Sequence, residues 1–125
     1  MADSDGKVVC VVDDDASLRR SLGNLLASVG FRVETFESAE AFLGSTHREN
    51  TGCVVLDLRM AGMSGFDLLR HLADTGSRIP VIVLTAHGDD ETRQRSLQAG
   101  AVAFFKKPFQ SAPLLDAVRS ALGSP

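Results

Sequence analysis

Five times along this chain a short apolar run gives way to a segment whose apolar residues recur at helical spacing. Val8-Val9-Cys10-Val11-Val12 is continuous and rich in β-branched residues, which suits a strand covered on both faces. Leu18, Leu22, Leu25, Leu26 and Val29 then stripe one helix face, with Gly30 as the stop. Residues 31–36 alternate like a strand with one polar side, and Ser38 caps a short helix through Ala41, Phe42 and Leu43 that ends near Gly44. The cycle repeats with a buried strand at 53–56 and a helix at 64–72 with Ser64 near its cap. A third buried run follows at 80–84, with Pro80 tolerable at its first position. A polar helix at 89–98 closed by Gly100, a strand at 101–105, and a helix striped by Leu114, Leu115, Val118 and Leu122 complete the series.

Alternating strands and helices imply a parallel sheet with helices on both faces. Right-handed crossovers and continuous apolar strands narrow this to a doubly wound α/β fold. The flavodoxin-like order 2-1-3-4-5 is one of its two common forms and places ligands at the carboxyl ends of the strands. With 125 residues there is room for one such domain. Residues 7–122 are expected to form it, 1–6 to be a flexible polar N-terminus, and 123–125 to be a tail or the start of a linker.

Composition excludes several classes. Hydrophobic residues at 44% and charged residues at 23% describe a globular chain, not a disordered one. No apolar run approaches the roughly 20 residues that span a bilayer, and the acidic N-terminus is no signal peptide, so no membrane association and a cytoplasmic location are expected. Net charge is −3 without a basic stripe, so direct nucleic-acid binding is not expected of this segment. Cys10 and Cys53 each lie inside an apolar run and read as small buried hydrophobes.

The polar residues that remain fall just past the carboxyl ends of the expected strands. Asp13, Asp14 and Asp15 follow the first, Asp57 the third, Thr85 the fourth, and Lys106 and Lys107 the fifth. In the order 2-1-3-4-5 these four strands are contiguous, so Asp13, Asp14, Asp57, Thr85 and Lys107 would meet in one crevice. Two carboxylates at ~4 Å repel by roughly 4 kcal/mol at an effective dielectric of about 20. Such a cluster attracts a cation, and oxygen donors without His or Cys suit a hard one, magnesium first and manganese as its substitute. A carboxylate beside such an ion can attack phosphorus and form an acyl phosphate. A lysine ammonium and a threonine hydroxyl would hold further phosphoryl oxygens.

Four motifs in order then resemble the receiver domains of two-component response regulators: Val11-Val12-Asp13-Asp14-Asp15; Val55-Leu56-Asp57-Leu58-Arg59-Met60 with Met63-Ser64-Gly65; Leu84-Thr85-Ala86-His87-Gly88-Asp89; and Ala99-Gly100-Ala101 with Lys107-Pro108-Phe109. Thr-Ala-His-Gly-Asp and Lys-Pro-Phe resemble the FixJ-like branch in particular. The resemblance implies that Asp57 accepts a phosphoryl group from a sensor histidine kinase or phosphotransfer protein. Asp14 would ligate magnesium directly, Asp13 mainly through water, and the Arg59 backbone carbonyl would be a further ligand. Lys107 would contact the phosphoryl group, Thr85 would move toward it, and Phe104 would change rotamer in step. The resemblance also implies a cis Lys107–Pro108 bond and a phosphorylation-dependent homodimer, or release of an output domain, through the fourth helix and fifth strand; kinase docking is expected near Arg19, Arg20 and Leu22. An output domain that binds DNA would lie outside this segment, unless the chain acts as a single-domain regulator. Ala61 departs from the family by standing where many relatives have proline.

Blander roles compete. One of the three N-terminal aspartates should merely cap the first helix, and Asp15 is the choice. Lys106 reads as a solvated surface lysine. His87 reads as a loop residue whose influence would be on water access to the acyl phosphate. The charged residues from Asp89 to Arg95 read as a solvated helix face. Of Phe104 and Phe105, strand alternation expects one in the core and one facing outward. Two other functions remain open at this level. A magnesium-dependent phosphatase of the haloacid-dehalogenase kind would use Asp13 and Asp15 but leave Asp57 unexplained and lacks room for a cap domain. A flavodoxin-like electron carrier would need a phosphate-binding loop where this chain is acidic.

Overall fold

The computed structural model describes residues 7–45, 50–86 and 88–123. Five strands, β1 (Val8–Val12), β2 (Arg32–Phe36), β3 (Thr51–Leu56), β4 (Val81–Thr85) and β5 (Ala103–Lys106), alternate with five helices. The helices are α1 (Ala16–Ser28), α2 (Ala39–Leu43), α3 (Gly65–Asp74), α4 (Asp90–Gln98) and α5 (Ser111–Ala121). All strand pairs are parallel and the sheet order is β2-β1-β3-β4-β5. The doubly wound, flavodoxin-like architecture expected from the sequence is the one formed.

The continuous apolar runs are explained by two core layers. Along β1, Val8, Cys10 and Val12 enter one layer with Phe42, Leu56 and Leu68, while Val9 and Val11 enter the other with Leu22, Leu26 and Leu114. Phe42, Leu22, Leu26, Leu68 and Leu114 are fully buried, and each such burial contributes about 1.5–3 kcal/mol. Because strand side chains alternate between faces, a strand with helices on both sides has no polar period.

Helix ends explain where the sequence reading of the strands ran long. Gly30 (φ +98°) and Gly100 (φ +114°) lie in the left-handed region just past α1 and α4. The next N–H groups, of Phe31 and Ala101, turn back to the carbonyls of Leu26 and Ser96 at 3.2 and 3.0 Å. Both are Schellman closures. They occupy the first residue assigned to each strand, so β2 begins at Arg32 and β5 at Ala103. Pro80 likewise stands before β4, its carbonyl accepting from the Val54 N–H at 2.9 Å. The capping expectations held: Asp15 accepts from Ser17 N and Leu18 N, and Ser38 from Ala41 N. Ser64 forms a capping box with Asp67.

The outward-facing half of the Phe104–Phe105 expectation is corrected. Both rings are half-buried, Phe104 against one core layer and Phe105 against the other. Helices cover both sides of the sheet, so even its edge strand lacks a fully solvated face. Leu22, expected near a docking surface, is 1% exposed and belongs to the core.

Candidate functional site

Sheet register brings the site together. Val12 pairs with Leu56, Leu56 with Val83, and Thr85 with Lys106. The residues one step further are therefore level at the carboxyl edge. The Asp57 N–H donates to the Val12 carbonyl at 3.0 Å, and the Lys107 N–H to the Thr85 carbonyl at 2.8 Å. The Lys107–Pro108 peptide is cis.

Carboxylate oxygens of Asp13, Asp14 and Asp57 all lie within 4.8 Å of one another. Asp13 and Asp57 are buried, and Asp14 is exposed. Asp13 is fully engaged: Oδ1 accepts the Asp15 N–H at 2.9 Å, and Oδ2 accepts from Lys107 Nζ at 2.9 Å. Lys107 Nζ stands 3.7 Å from Asp57 Oδ2. Thr85 is fully buried and helps to lower the Asp57 carboxyl, and the Arg59 N–H reaches Asp57 Oδ1 at 3.4 Å. Burial first, and the neighbouring Asp13 charge second, push the Asp57 carboxyl above its ordinary range. Lys107, the Arg59 N–H and Thr85 pull the other way without cancelling them.

Asp13, Asp14, Asp57, Thr85 and Lys107 are thus brought to one crevice. Three carboxylates against one ammonium leave an excess of negative charge, and the donors are all oxygen, a set that suits a hard divalent cation. The Arg59 side chain is exposed, which leaves its backbone free of side-chain constraint. Phe104 is two register pairs below Thr85, opposite Val83. Lys106 is exposed, as read, with its stem against Gly88. His87 lies outside the described residues.

Three supporting contacts are not announced by the sequence, although Arg19 and Gly65 themselves stand out there for other reasons. Arg19 Nη1 donates to the Asp13 carbonyl at 2.7 Å. Glu40 Oε2 accepts the Met63 N–H at 3.0 Å. Gly65 packs its bare Cα side against the Asp57 carbonyl and Leu58. The first two contacts join residues six and more positions apart in chain, and no local pattern announces them.

Residues 9–119 match the family model described as "Response regulator receiver domain". Response regulator protein TmoT of Ectopseudomonas mendocina is 44% identical over 115 residues, which are 92% of this chain and 52% of that protein. Transcriptional regulatory protein FixJ of Rhizobium meliloti is 43% identical over 113 residues, covering 90% of this chain and 55% of that protein. Among solved structures, FixJ-N superposes with a TM-score of 0.85 at 42% identity, covering 94% of each chain. The chain spans about half the length of the curated relatives it matches.

Proposed function

Because this chain belongs to the response regulator receiver domain family, we propose that it is a phosphorylation switch with Asp57 as the phosphoacceptor. The observation that carries this reading is the meeting of Asp13, Asp14 and Asp57 within 4.8 Å, beside Lys107 and Thr85. An Asp57 oxygen attacks phosphorus of a phosphohistidine on a sensor kinase or phosphotransfer protein. The O–P bond forms, the P–N bond breaks, and the imidazole nitrogen keeps the electron pair and takes up a proton. Asp13, Asp14, Asp57 and the Arg59 carbonyl are the residues that would hold Mg2+ or Mn2+. When bound, the ion neutralises charge on the transferring oxygens. Lys107 holds a phosphoryl oxygen as a point charge, and the Thr85 hydroxyl donates a hydrogen bond to the phosphoryl group.

Thr85 closes the end of β4, and β5 pairs with β4 through Val83–Phe104 and Thr85–Lys106. A shift at Thr85 therefore biases the β5 and α4 face, with Phe104 turning inward. That face is the proposed site of phosphorylation-dependent homodimerisation. Kinase docking is assigned to α1 at the half-buried Arg19 and the exposed Arg20, without Leu22. Among the described residues no helix is long and apolar enough to cross a membrane; the reading assigns the chain to the cytoplasm. One relative is named a transcriptional regulatory protein. For this chain, control of transcription would run through sequence beyond residues 7–122, or through contacts of the receiver alone.

The phosphatase reading is disfavoured by Asp15, which it would use beside Asp13 but whose Oδ1 caps α1 by accepting from the Ser17 and Leu18 N–H groups at 2.9 and 3.2 Å. Incubation with acetyl phosphate and Mg2+ tests the proposal. A hydroxylamine-sensitive label on Asp57 is expected, lost with chelator and in Asp57→Asn. Label on Asp13, label retained in that variant, or rapid turnover of phosphate esters would overturn it. Mg2+ at a hundredfold excess over its dissociation constant should also stabilise the fold by about 2.7 kcal/mol, an increment removed by chelation.

A further inference from the structure

The loop from Asp57 to Ser64 carries the phosphoacceptor at one end and Arg59 just beyond it. Its own restraints are local. The Arg59 N–H reaches Asp57 Oδ1 only at 3.4 Å, the Gly65 N–H bonds the Leu58 carbonyl at 3.0 Å, and Ser64 with Asp67 closes the start of α3. Glu40 reaches the loop from outside. Its Oε2 accepts the Met63 N–H at 3.0 Å from 23 residues earlier.

The carboxylate lies against bare backbone. Gly62 has φ +77°, and a Cβ there would come within 2.8 Å of Glu40 Oε2. The preceding residue is Ala61, so the loop lacks the fixed φ that proline would give it. Glu40 itself has a firm base. Its neighbours Ala39 and Phe42 are fully buried, and the Phe42 ring meets Phe36 edge-on at 5.6 Å. The Phe36 carbonyl accepts the Asp13 N–H at 3.1 Å, so α2 is anchored to the same sheet end that carries the acidic cluster.

We propose that Glu40 is a positioning residue for the phosphoacceptor loop, acting through Met63 to hold the Arg59 carbonyl where a divalent cation needs it; this rests on the metal-dependent reading above. The carboxylate does not touch the reacting atoms. It replaces, by a bond from α2, the stiffness that proline would supply from within the loop.

The test uses Mg2+ titration followed by backbone amide shifts, with hydrogen exchange at the Met63 amide, since the chain has no Trp or Tyr for optical work. Glu40→Ala should speed Met63 exchange and weaken Mg2+ binding roughly threefold, the share of one exposed charged hydrogen bond. Glu40→Asp keeps the charge but is too short, and should behave like the alanine variant. Glu40→Gln keeps an oxygen at the right reach, and should stay within roughly twofold of the unsubstituted protein. Unchanged Mg2+ affinity in Glu40→Ala overturns the proposal. So does the reverse order, with Asp retaining affinity and Gln losing it, because charge and not loop contact would then be at work. If the unsubstituted protein binds no Mg2+ or takes no phosphoryl group on Asp57, the underlying reading itself fails, a result distinguishable without any variant.

Discussion

Lys107 is bonded to Asp13, at 2.9 Å, and stands off Asp57, at 3.7 Å. The lysine therefore compensates Asp13 before it serves Asp57, the proposed phosphoacceptor. Removing one partner of a fully buried ion pair costs about 3–5 kcal/mol. The Lys107 side chain is 20% exposed, so water relieves part of this and Lys107→Ala should cost about 1–2 kcal/mol. Asp13→Asn in that background should recover part of the loss, because the stranded charge is then gone. Urea unfolding of the two single variants and the double variant measures the coupling. Additive effects would mean that the pair contributes nothing.

Asp57 makes a pH prediction whose sign is fixed. Its folded pKa is raised, by burial first and by Asp13 second. The native state thus binds this proton more tightly than the unfolded state, and stability falls as pH rises from the unfolded carboxylate range through the raised folded value. Above the raised folded value the full penalty is present. Asp57→Asn, which keeps an acceptor and removes the charge, should raise the thermal midpoint on the high-pH side of that window. The gain should shrink toward zero as pH drops below about 3.9, the ordinary aspartate value. A midpoint difference independent of pH would show that packing, not charge, separates the two proteins. Mg2+ should narrow the difference as well, since it relieves the same repulsion.

The elements most legible in the sequence are those with one dominant cause. The range of β1 could be read to the residue because double-sided burial leaves no polar position among Val8, Val9, Cys10, Val11 and Val12. Asp15 could be assigned to a cap, and Asp13 and Asp57 to one crevice, from strand order alone. Strand starts at 31 and 101 were misread because their N–H groups close the preceding helix, a competition that apolar periodicity does not record. Phe105 was assigned a choice between core and solvent that a two-sided sheet does not offer. Glu40 and Arg19 look like ordinary helix-surface charges in sequence. Their roles depend on which backbone groups the tertiary fold leaves beside them.

Gly65 supplies a steric prediction close to the site. It begins α3 and is buried, with its N–H on the Leu58 carbonyl. A Cβ built there collides with the Asp57 carbonyl and lies 2.7 Å from Leu58 Cα. Both obstacles are backbone, so neither can rotate away. Gly65→Ala should therefore push α3 off the end of β3 at a cost of about 1–3 kcal/mol, the range for overpacking. Labelling of Asp57 by acetyl phosphate should slow in step, because the displaced backbone carries the acceptor. Gly76→Ala is the control: unlike Gly65 it sits at positive φ, +76°, and nothing lies within 4 Å of its added Cβ. That variant should lose stability through backbone strain alone and label normally. Equal labelling rates in both variants would remove the steric link between Gly65 and Asp57.

The two thiols offer a probe of global unfolding. Cys10 and Cys53 are free and fully buried. Burial raises both, partly offset at Cys10 by its bond to Thr51, and carries Cys53 up to about 12. They belong to opposite core layers, so the sheet itself separates their side chains and no bridge forms between them in the native state. Only a thiolate attacks a disulfide reagent, so at neutral pH neither should react while the fold is intact. Mixed with an aromatic disulfide, the native protein should release chromophore only at the rate at which it opens. Both thiols should follow one urea dependence, with the slope of the equilibrium unfolding transition, because reaching either requires parting β1 or β3 from its covering helices. A thiol that reacted quickly, with a rate indifferent to urea, would reveal a local opening of one core layer that the packing around Leu22, Leu26 and Leu114, or around Phe42 and Leu68, does not allow.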